Sequence, residues 1–208
     1  MNKLGSAVIL CGGKSSRMGF DKSKIKINDT LLLDITAESL EEIFDEIILV
    51  TDKKEKFRNS KYTIIEDSKK NCGSAEGIYT GLKYASSEYV FVLACDMPVI
   101  SIEYIKYMMT IIKNNNNIEG VISKNGKWIE PMHSFYSKNM LPHFKEALDQ
   151  NKLKISKIIE NGNMHYIEER IIRKYSKDLN IFINLNYIED LSILNTINYK
   201  GKKSYGHC

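Results

Sequence analysis

A glycine pair followed by basic side chains ends the first apolar run of the chain. The segment that begins at Val8 reads VILCGGKSSRMGFDKSK, so that Gly12 and Gly13 are followed by Arg17 and Lys22. Glycines allow backbone N–H groups to approach an anion closely, and arginine and lysine neutralise phosphate oxygens. Three interpretations are open: a phosphate-binding loop for a nucleotide, a nucleic-acid-binding patch, and a solvated basic turn.

The spacing within this segment excludes the two commonest phosphate-binding motifs. A Walker loop has the pattern G-x-x-x-x-G-K-[ST], but Val8 occupies the place of the first glycine before Gly13, Lys14 and Ser15. The dinucleotide-binding pattern G-x-G-x-x-G does not fit the letters GGKSSRMG either. What remains is a glycine pair with basic residues after it, which can contact a phosphate group without belonging to either motif.

Two carboxylates also follow apolar runs. Asp96 comes directly after YVFVLAC, and Asp67 ends the run YTIIED. A carboxylate beside a phosphate site suits Mg²⁺, which takes one or two protein oxygens and completes its shell with water and substrate phosphates. Asp96 could instead cap the helix that follows, but Ser101 is better placed for that role. Asp67 could simply belong to a turn.

The elements that must position these residues alternate between strand and helix over the first part of the chain. Short apolar runs predict strands at 6–11, 46–51, 62–67 and 89–96, and apolar residues at helical spacing predict helices at 31–44, 74–86 and 101–114. Strands without polar alternation are typical of a parallel sheet that helices cover on both faces. We therefore predict an α/β fold of the Rossmann-like, doubly wound type, with a mostly parallel sheet flanked by helices. Ligands of such folds bind beyond the carboxyl ends of the strands, where Gly12, Asp67 and Asp96 are expected to converge.

The second part of the chain has a less regular pattern. It predicts strands at 119–123, 131–136 and 181–186, and helices at 137–150, 154–162 and 187–197. Because no linker is long enough to separate domains, we predict one domain at 1–198 and a frayed tail at 199–208. Within the helix at 74–86, Gly77 and Gly81 lower the helix propensity, which suggests that another segment approaches the backbone closely there.

The composition is that of an ordinary globular protein. The chain has 208 residues, of which 43% are hydrophobic and 27% charged, and its net charge of +4 does not by itself indicate a nucleic-acid partner. No apolar run approaches the roughly 18 residues of a membrane span, and no signal peptide is recognised. The four cysteines form no C-x-x-C pair and have no histidine at ligand spacing, which argues against a disulfide framework or a zinc site. We expect Cys11 and Cys95 to be small buried hydrophobes of a reduced, cytoplasmic protein without nucleic-acid or membrane partners.

Five blocks of the sequence together resemble the molybdenum cofactor guanylyltransferases, within the wider nucleotidyltransferase superfamily. The segment LCGGKSSRMGFDK is similar to their opening motif L-A-G-G-x-S-x-R-M-G-x-D-K, and CDMP resembles their metal block C-D-x-P. The segments IIEDS, EPMHSFY and INLNYIEDL resemble three further blocks, the second of which lines the site of the second substrate. The blocks occur in the family order and span nearly the whole chain.

This resemblance implies a reaction in which GTP and molybdopterin give the guanine dinucleotide cofactor and pyrophosphate. Arg17, Lys22 and Asp96 would be the catalytic residues, with Asp96 as the Mg²⁺ ligand and the two basic residues on the triphosphate. Asn184 and Asn186 would lie near the pterin of the second substrate. The nucleotide-binding residues, several of them acting through the backbone, would be Leu10, Cys11, Gly12, Gly13, Lys22, Thr51, Asp67 and Asp96. Molybdenum-insertion proteins and apo-molybdoenzymes would be partners of such an enzyme.

The chain departs from the family pattern at a few positions. Cys11 replaces the usual alanine, and Thr51 stands where an asparagine often contributes to the nucleotide site. The letters GSAEG replace G-P-L-x-G, so that Glu76 adds a negative charge near an anionic ligand. Two alternatives therefore stay open: a nucleotidyltransferase that uses CTP or a sugar phosphate, and a non-catalytic carrier of GTP or molybdopterin. His133 is expected to be a structural histidine with satisfied hydrogen bonds.

Overall fold

Nine strands and six helices form in the part of the chain that the computed structural model describes, residues 5–12, 25–27, 30–67 and 72–185. The strands are β1 (Ser6–Leu10), β2 (Lys26–Ile27), β3 (Thr30–Leu31), β4 (Glu46–Thr51), β5 (Thr63–Glu66), β6 (Tyr89–Ala94), β7 (Gly120–Asn125), β8 (Trp128–Ser137) and β9 (Met164–Glu168). The helices are α1 (Leu32–Glu41), α2 (Gly73–Tyr84), α3 (Ile102–Lys113), α4 (Leu141–Asp149), α5 (Ile155–Ile159) and α6 (Glu169–Ile172). Short 3-10 turns form at Lys54–Phe57, Lys138–Met140 and Asn180–Phe182.

Seven of these strands form one sheet in the order β5-β4-β1-β6-β8-β7-β9. Strands β5, β4, β1 and β6 are parallel to one another, and β9 is parallel to β7. Strand β8 is antiparallel to both of its neighbours, β6 and β7. Among the described strands of this sheet only β8 runs against the others, which confirms the predicted mostly parallel α/β sheet. The short strands β2 and β3 pair as a separate antiparallel hairpin.

Strand β1 is buried on both faces of the sheet. Ala7 and Ile9 pack into the core cluster that contains side chains of α1 and α3, and Val8 and Leu10 pack into the cluster that contains side chains of α2, α4 and α5. Full burial of an aliphatic side chain stabilises the folded state by roughly 1.5–3 kcal/mol. The double burial therefore fixes β1, and with it the position of the residues that follow it.

Helix α2 lies directly against β1, and its glycines make this approach possible. A β-carbon at Gly81 would lie 2.7 Å from Cγ1 of Val8, and one at Gly77 would lie 3.1 Å from Cδ2 of Leu10. The first distance is shorter than van der Waals contact allows, so the packing of α2 on β1 requires glycine at that position. This confirms the close approach that the two glycines suggested.

Most predicted elements form, with small shifts at their ends. Ser101 caps α3, as predicted, by accepting a hydrogen bond at its Oγ from the backbone N of Tyr104 at 3.3 Å. Strand β9 and the β2–β3 hairpin were not predicted, because the mixed sequence MHYIE and two-residue strands give no clear periodicity. Among the described residues, no helix is long and apolar enough to cross a membrane.

The predicted strand at 181–186 is wrong over the residues that the structure describes. A 3-10 turn at Asn180–Phe182 begins after Leu179, whose φ of 57° places it in the left-handed region. Leu185 then donates its backbone N–H to the carbonyl of Asp96 at 2.8 Å. The apolar run is explained by packing of Ile181 and Phe182 into the core rather than by pairing with a strand. The predicted helix at 187–197 and tail at 199–208 lie outside the described residues, so the end of the predicted domain at 198 is not tested.

Candidate functional site

The carboxyl ends of the parallel strands β5, β4, β1 and β6 meet at one edge of the sheet. The chain passes from β1 to β4 on one side of β1 and later returns through α2 to β6 on the other side. Such a reversal opens a crevice between the loops that follow the two central strands, and ligands of doubly wound folds bind there. We call this region, beyond the carboxyl ends of β1 and β6, the β1/β6 crevice.

Leu10 and Cys11 end β1 at the floor of the β1/β6 crevice. The backbone N of Cys11 donates to the carbonyl of Val50 at 2.7 Å, and the N of Cys95 donates to the carbonyl of Leu10 at 3.1 Å. Burial raises the pKa of the Cys11 thiol, and the adjacent Cys95 thiol raises it further. Cys11 is therefore a neutral buried side chain, as predicted, whereas Cys95 is only half-buried.

Gly12 lies beside the residues that follow β4 and β5, and it has no side chain to separate its backbone from them. A β-carbon at Gly12 would lie 3.3 Å from the backbone N of Asp52 and 3.5 Å from Oδ2 of Asp67. A side chain at this position would therefore occupy the space between the end of β1 and the carboxylate that follows β5. Because Gly12 is exposed, its backbone is accessible to a ligand that also reaches Asp67.

Asp67 is a half-buried carboxylate at the carboxyl end of β5. Its backbone N donates to the carbonyl of Thr51 at 2.9 Å, and its Oδ1 is buried with no hydrogen-bond partner among the described residues. The pKa of Asp67 is raised to about 7, mainly by burial and also by the charges of Glu76 and Asp52, while a hydrogen bond with the Thr80 side chain acts in the opposite direction. Asp67 therefore places a half-buried carboxyl group, with its Oδ2 toward Gly12, at this edge of the sheet.

Asp96 lies in the turn after β6, on the opposite side of β1 from Asp67. Glu130, near the start of β8, is buried, and its Oε1 accepts a hydrogen bond from the backbone N of Met132 at 3.0 Å. The pKa of Glu130 is raised to about 7, mainly by burial and to a smaller extent by the charge of Asp96, while the hydrogen bond from Met132 acts in the opposite direction. The two carboxyl groups thus lie close enough to interact at the β6 side of the crevice.

The segment that follows the Asn180–Phe182 turn reaches the same place. Leu185 is bonded through its backbone N to the Asp96 carbonyl, so Asn184 lies one residue from that contact. Asn184 is exposed, and its Nδ2 donates to the carbonyl of Phe182 at 3.4 Å. The structure therefore brings Asn184 to the β6 side of the crevice, away from Gly12 and Asp67.

Thr51 occupies a different setting from the other predicted nucleotide-binding residues. It is fully buried, and its Oγ1 accepts a hydrogen bond from the backbone N of Lys53 at 3.2 Å. Its hydroxyl is thus engaged in the turn after β4, and its carbonyl accepts the hydrogen bond from the backbone N of Asp67, so the predicted contact of Thr51 with a nucleotide stays a prediction. Four other predicted site residues, Gly13, Arg17, Lys22 and Asn186, lie outside the described residues and stay predictions.

The acidic side chains at the β6 side of the crevice suit a metal ion that is held by few protein ligands. Residues 5–12, 25–27, 30–67 and 72–185 contain no group of three or more histidine, cysteine or acidic side chains that could bind one. Mg²⁺ needs no such cage, because it is commonly held by one or two carboxylates together with substrate phosphates and water. Asp96 with the nearby Glu130 fits that requirement, whereas a zinc or other closed structural site does not fit.

The sequence matches the family described as the MobA-like NTP transferase domain over residues 7–166. This chain belongs to that family. The matched range begins within β1 and ends within β9, so it includes both sides of the β1/β6 crevice.

Relatives of this MobA-like chain carry a consistent name. The chain is 42% identical over 191 residues to a probable molybdenum cofactor guanylyltransferase of Peptoclostridium acidaminophilum, with 90% of this chain and 86% of the relative covered. It is 38% identical over 188 residues to the molybdenum cofactor guanylyltransferase of Syntrophotalea carbinolica, with 90% and 89% covered.

Solved structures share the fold of this MobA-like chain. Molybdopterin-guanine dinucleotide biosynthesis protein A from Archaeoglobus fulgidus superposes with a TM-score of 0.81 at 23% identity, covering 94% of this chain and 99% of that one. The 4-diphosphocytidyl-2C-methyl-D-erythritol synthase from Anaerococcus prevotii superposes with a TM-score of 0.66 at 18% identity, covering 95% and 96%. At these identities the likeness concerns the fold alone.

Two residues of the MobA-like domain have no predicted role although the structure places them at or beside the crevice. The sequence singles out Glu130 only as part of the block EPMHSFY, and it gives no indication of a role for Trp128. A carboxylate before a proline at the start of an apolar strand is a signal that could have drawn attention to Glu130. His133 is fully buried, as expected of a structural histidine, but the expectation of satisfied hydrogen bonds is wrong, because neither ring nitrogen has a hydrogen-bond partner among the described residues.

Proposed function

We propose that this chain transfers GMP from GTP to molybdopterin, giving molybdopterin guanine dinucleotide and pyrophosphate, with Mg²⁺ as the metal ion. The observation that carries the proposal is the convergence of Gly12, Asp67 and Asp96 on one edge of a doubly wound sheet. Membership of the MobA-like NTP transferase family and the names of the relatives supply the reaction class and the two substrates.

The nucleoside of GTP is assigned to the β1 and β4 side of the crevice. The exposed backbone of Gly12 would meet the ring or ribose, since no side chain intervenes. The Asp67 carboxylate, whose Oδ2 lies toward Gly12, would accept a hydrogen bond from an N–H of guanine or a ribose hydroxyl. Burial makes the charged form of this carboxyl group costly, and a donor from the substrate would stabilise it.

The phosphates of GTP are assigned to the space between β1 and β6. Arg17 and Lys22 would hold the triphosphate and stabilise the departing pyrophosphate, as the family resemblance implies. Asp96, with Glu130 close to it, would hold the divalent cation, which when bound offsets negative charge on the phosphates. Nucleotidyl transfer requires positioning and charge neutralisation more than covalent catalysis, so no nucleophilic side chain is needed.

The acceptor is assigned to the far side of Asp96. A phosphate of molybdopterin would attack the α-phosphorus of GTP, the new P–O bond forming as the bond to pyrophosphate breaks. Asn184, held near the Asp96 carbonyl by the backbone bond of Leu185, is on this side, and we place Asn186 with it. The two substrates thus approach from opposite sides of Asp96, as in-line displacement requires.

The test is release of pyrophosphate by the purified chain in the presence of GTP, molybdopterin and Mg²⁺. We expect release only when all three are present, and a loss of at least about 100-fold in kcat for Asp96→Asn, in line with removal of one charge-stabilising group. Asp45→Asn is the matched control, because Asp45 is exposed at the opposite edge of the sheet, where it accepts a hydrogen bond from Gly5. Full activity of Asp96→Asn would refute the metal assignment.

A cytidylyltransferase or sugar-phosphate nucleotidyltransferase is the second candidate, since the fold is shared with an enzyme of cytidylyl transfer. Thermal-shift titration with the four nucleoside triphosphates separates the two, and stabilisation by CTP in preference to GTP would reject the guanylyl reaction. Binding of GTP and molybdopterin without pyrophosphate release would instead indicate a carrier.

We propose that the chain acts in the cytoplasm, in keeping with cysteines that form no disulfide pattern, and that molybdenum-insertion proteins and apo-molybdoenzymes are its partners, as the family resemblance implies. Co-purification of the product-loaded chain with an apo-molybdoenzyme would test this assignment.

A further inference from the structure

Trp128 is an exposed aromatic residue at the start of β8. It is 44% exposed and is the single tryptophan of the chain. The other large hydrophobic side chain exposed among the described residues, Tyr84, ends α2 at the opposite edge of the sheet. An isolated exposed aromatic residue needs no special explanation, so the position of Trp128 has to decide whether it has a role.

The indole of Trp128 is held in place by the fold. Trp128 pairs with Asn125 across the β7–β8 hairpin, whose turn contains Gly126 at a φ of 57°. Its ring meets the ring of Phe182 edge to face at 5.4 Å and 66°, and Phe182 in turn packs on His133 at 5.6 Å. One part of the indole is therefore supported by a buried aromatic cluster while the rest stays accessible.

Two independent connections place this indole beside the β6 side of the crevice. Because β8 is antiparallel to β6, its beginning lies at the edge where β6 ends, and Glu130, about 6.6 Å further along the strand, interacts with Asp96. The Phe182 that supports the indole also begins the segment whose Leu185 is bonded to the Asp96 carbonyl at 2.8 Å. Trp128 is thus separated from Gly12 and Asp67 by strand β6.

We propose that Trp128 stacks on the pterin ring of the acceptor and so contributes to specificity for the second substrate. This inference rests on the proposed function, which assigns the acceptor to this side of Asp96. A pterin is a flat bicyclic heteroaromatic ring, and such rings stack on indole through their π-faces. Guanine has a similar ring, but its assigned position lies on the other side of β6, so the stacking partner is the pterin.

Steady-state kinetics test the proposal. We expect Trp128→Leu to raise KM for molybdopterin about tenfold, as loss of one stacking contact does, and to leave KM for GTP unchanged. Trp128→Phe keeps an aromatic face and should recover most of this loss, while Tyr84→Leu, at the opposite edge, should behave as the wild type. An unchanged KM for molybdopterin in Trp128→Leu, or a rise confined to KM for GTP, would overturn the proposal.

A binding measurement separates this proposal from the proposed reaction. The fluorescence of the single tryptophan is followed during titration with free 6-hydroxymethylpterin, corrected for absorption by the pterin. Saturable quenching is expected in the wild type and not in Trp128→Phe/Tyr84→Trp, which carries the reporter at the remote position. Saturable quenching without pyrophosphate release would support the stacking and refute the reaction. Pyrophosphate release without quenching, together with an unchanged KM for molybdopterin in Trp128→Leu, would support the reaction and refute the stacking. Thermal unfolding of each variant checks that the fold is retained.

Discussion

His133 gives the sharpest stability prediction for this fold. Its ring is fully buried among aromatic rings, at 5.0 Å from Phe91, 5.9 Å from Tyr104 and 5.6 Å from Phe182. Burial lowers the pKa of His133 to about 4 from the ordinary value of 6.5. Between pH 4 and pH 6.5, the unfolded chain therefore binds up to one more proton at His133 than the folded chain does, so a fall in pH should favour unfolding.

The magnitude follows from the two pKa values. Protonation of His133 should cost the folded state about 2 kcal/mol at pH 5 and about 3 kcal/mol below pH 4, relative to pH 7. His133→Phe keeps a ring of similar shape and removes the proton. We therefore expect the free energy of unfolding of the variant to increase by about 2 kcal/mol relative to that of the wild type from pH 7 to pH 5.

Urea denaturation of both proteins at pH 7, 6 and 5 measures this difference. The variant must be compared with the wild type at each pH, because the pH dependence of a single protein also contains the effects of Asp67 and Glu130. Their raised pKa values mean that the folded state binds protons over the same pH range, which favours folding as the pH falls. These groups are present in both proteins and cancel in the difference. His143→Gln, which alters a half-buried histidine on α4, is the control. Parallel pH profiles for His133→Phe and the wild type would refute the reasoning.

Three further predictions concern packing, charge and thiol reactivity. Gly81→Ala should lower the free energy of unfolding by about 1–3 kcal/mol because its β-carbon would lie 2.7 Å from Cγ1 of Val8. In a double-mutant cycle measured by urea denaturation, Val8→Ala should remove this steric clash, so that the double variant is more stable than the sum of the two single effects; additive effects would contradict the clash. The pKa of Asp67 is raised to about 7, so the folded wild type loses stability as this carboxyl ionises between pH 5 and pH 8, whereas Asp67→Asn does not. The melting temperature of the variant should therefore rise relative to that of the wild type over this range, and an equal difference at both pH values would contradict this. Burial raises the pKa of Cys11, so iodoacetamide should label it more slowly than the half-buried Cys72, as mass spectrometry can show; equal labelling would contradict the buried setting.

The fold was predictable because its main signal is local. Unbroken apolar runs such as those of β1 and β6 indicate strands buried on both faces, and their alternation with helices indicates a parallel sheet. The convergence of Gly12, Asp67 and Asp96 then follows from the direction of the strands alone. By contrast, residues 181–185 look like a strand by composition, and only the left-handed Leu179 and the bond from Leu185 to Asp96 show why they are not one.

The part of the site that was missed enters it from the opposite direction. A search for polar residues after apolar strands finds Asp67 and Asp96, because parallel strands all end at the same edge. Strand β8 runs the other way, so its first residues, not its last, reach that edge. Glu130 and Trp128 therefore lie at the β6 side of the crevice because they are at the start of a strand. The spacing of residues in the sequence does not indicate the direction in which β8 runs. The first residues of an antiparallel strand that borders the switch point thus lie at the same edge as the last residues of the parallel strands, and for this reason the charge of Asp96 acts on Glu130.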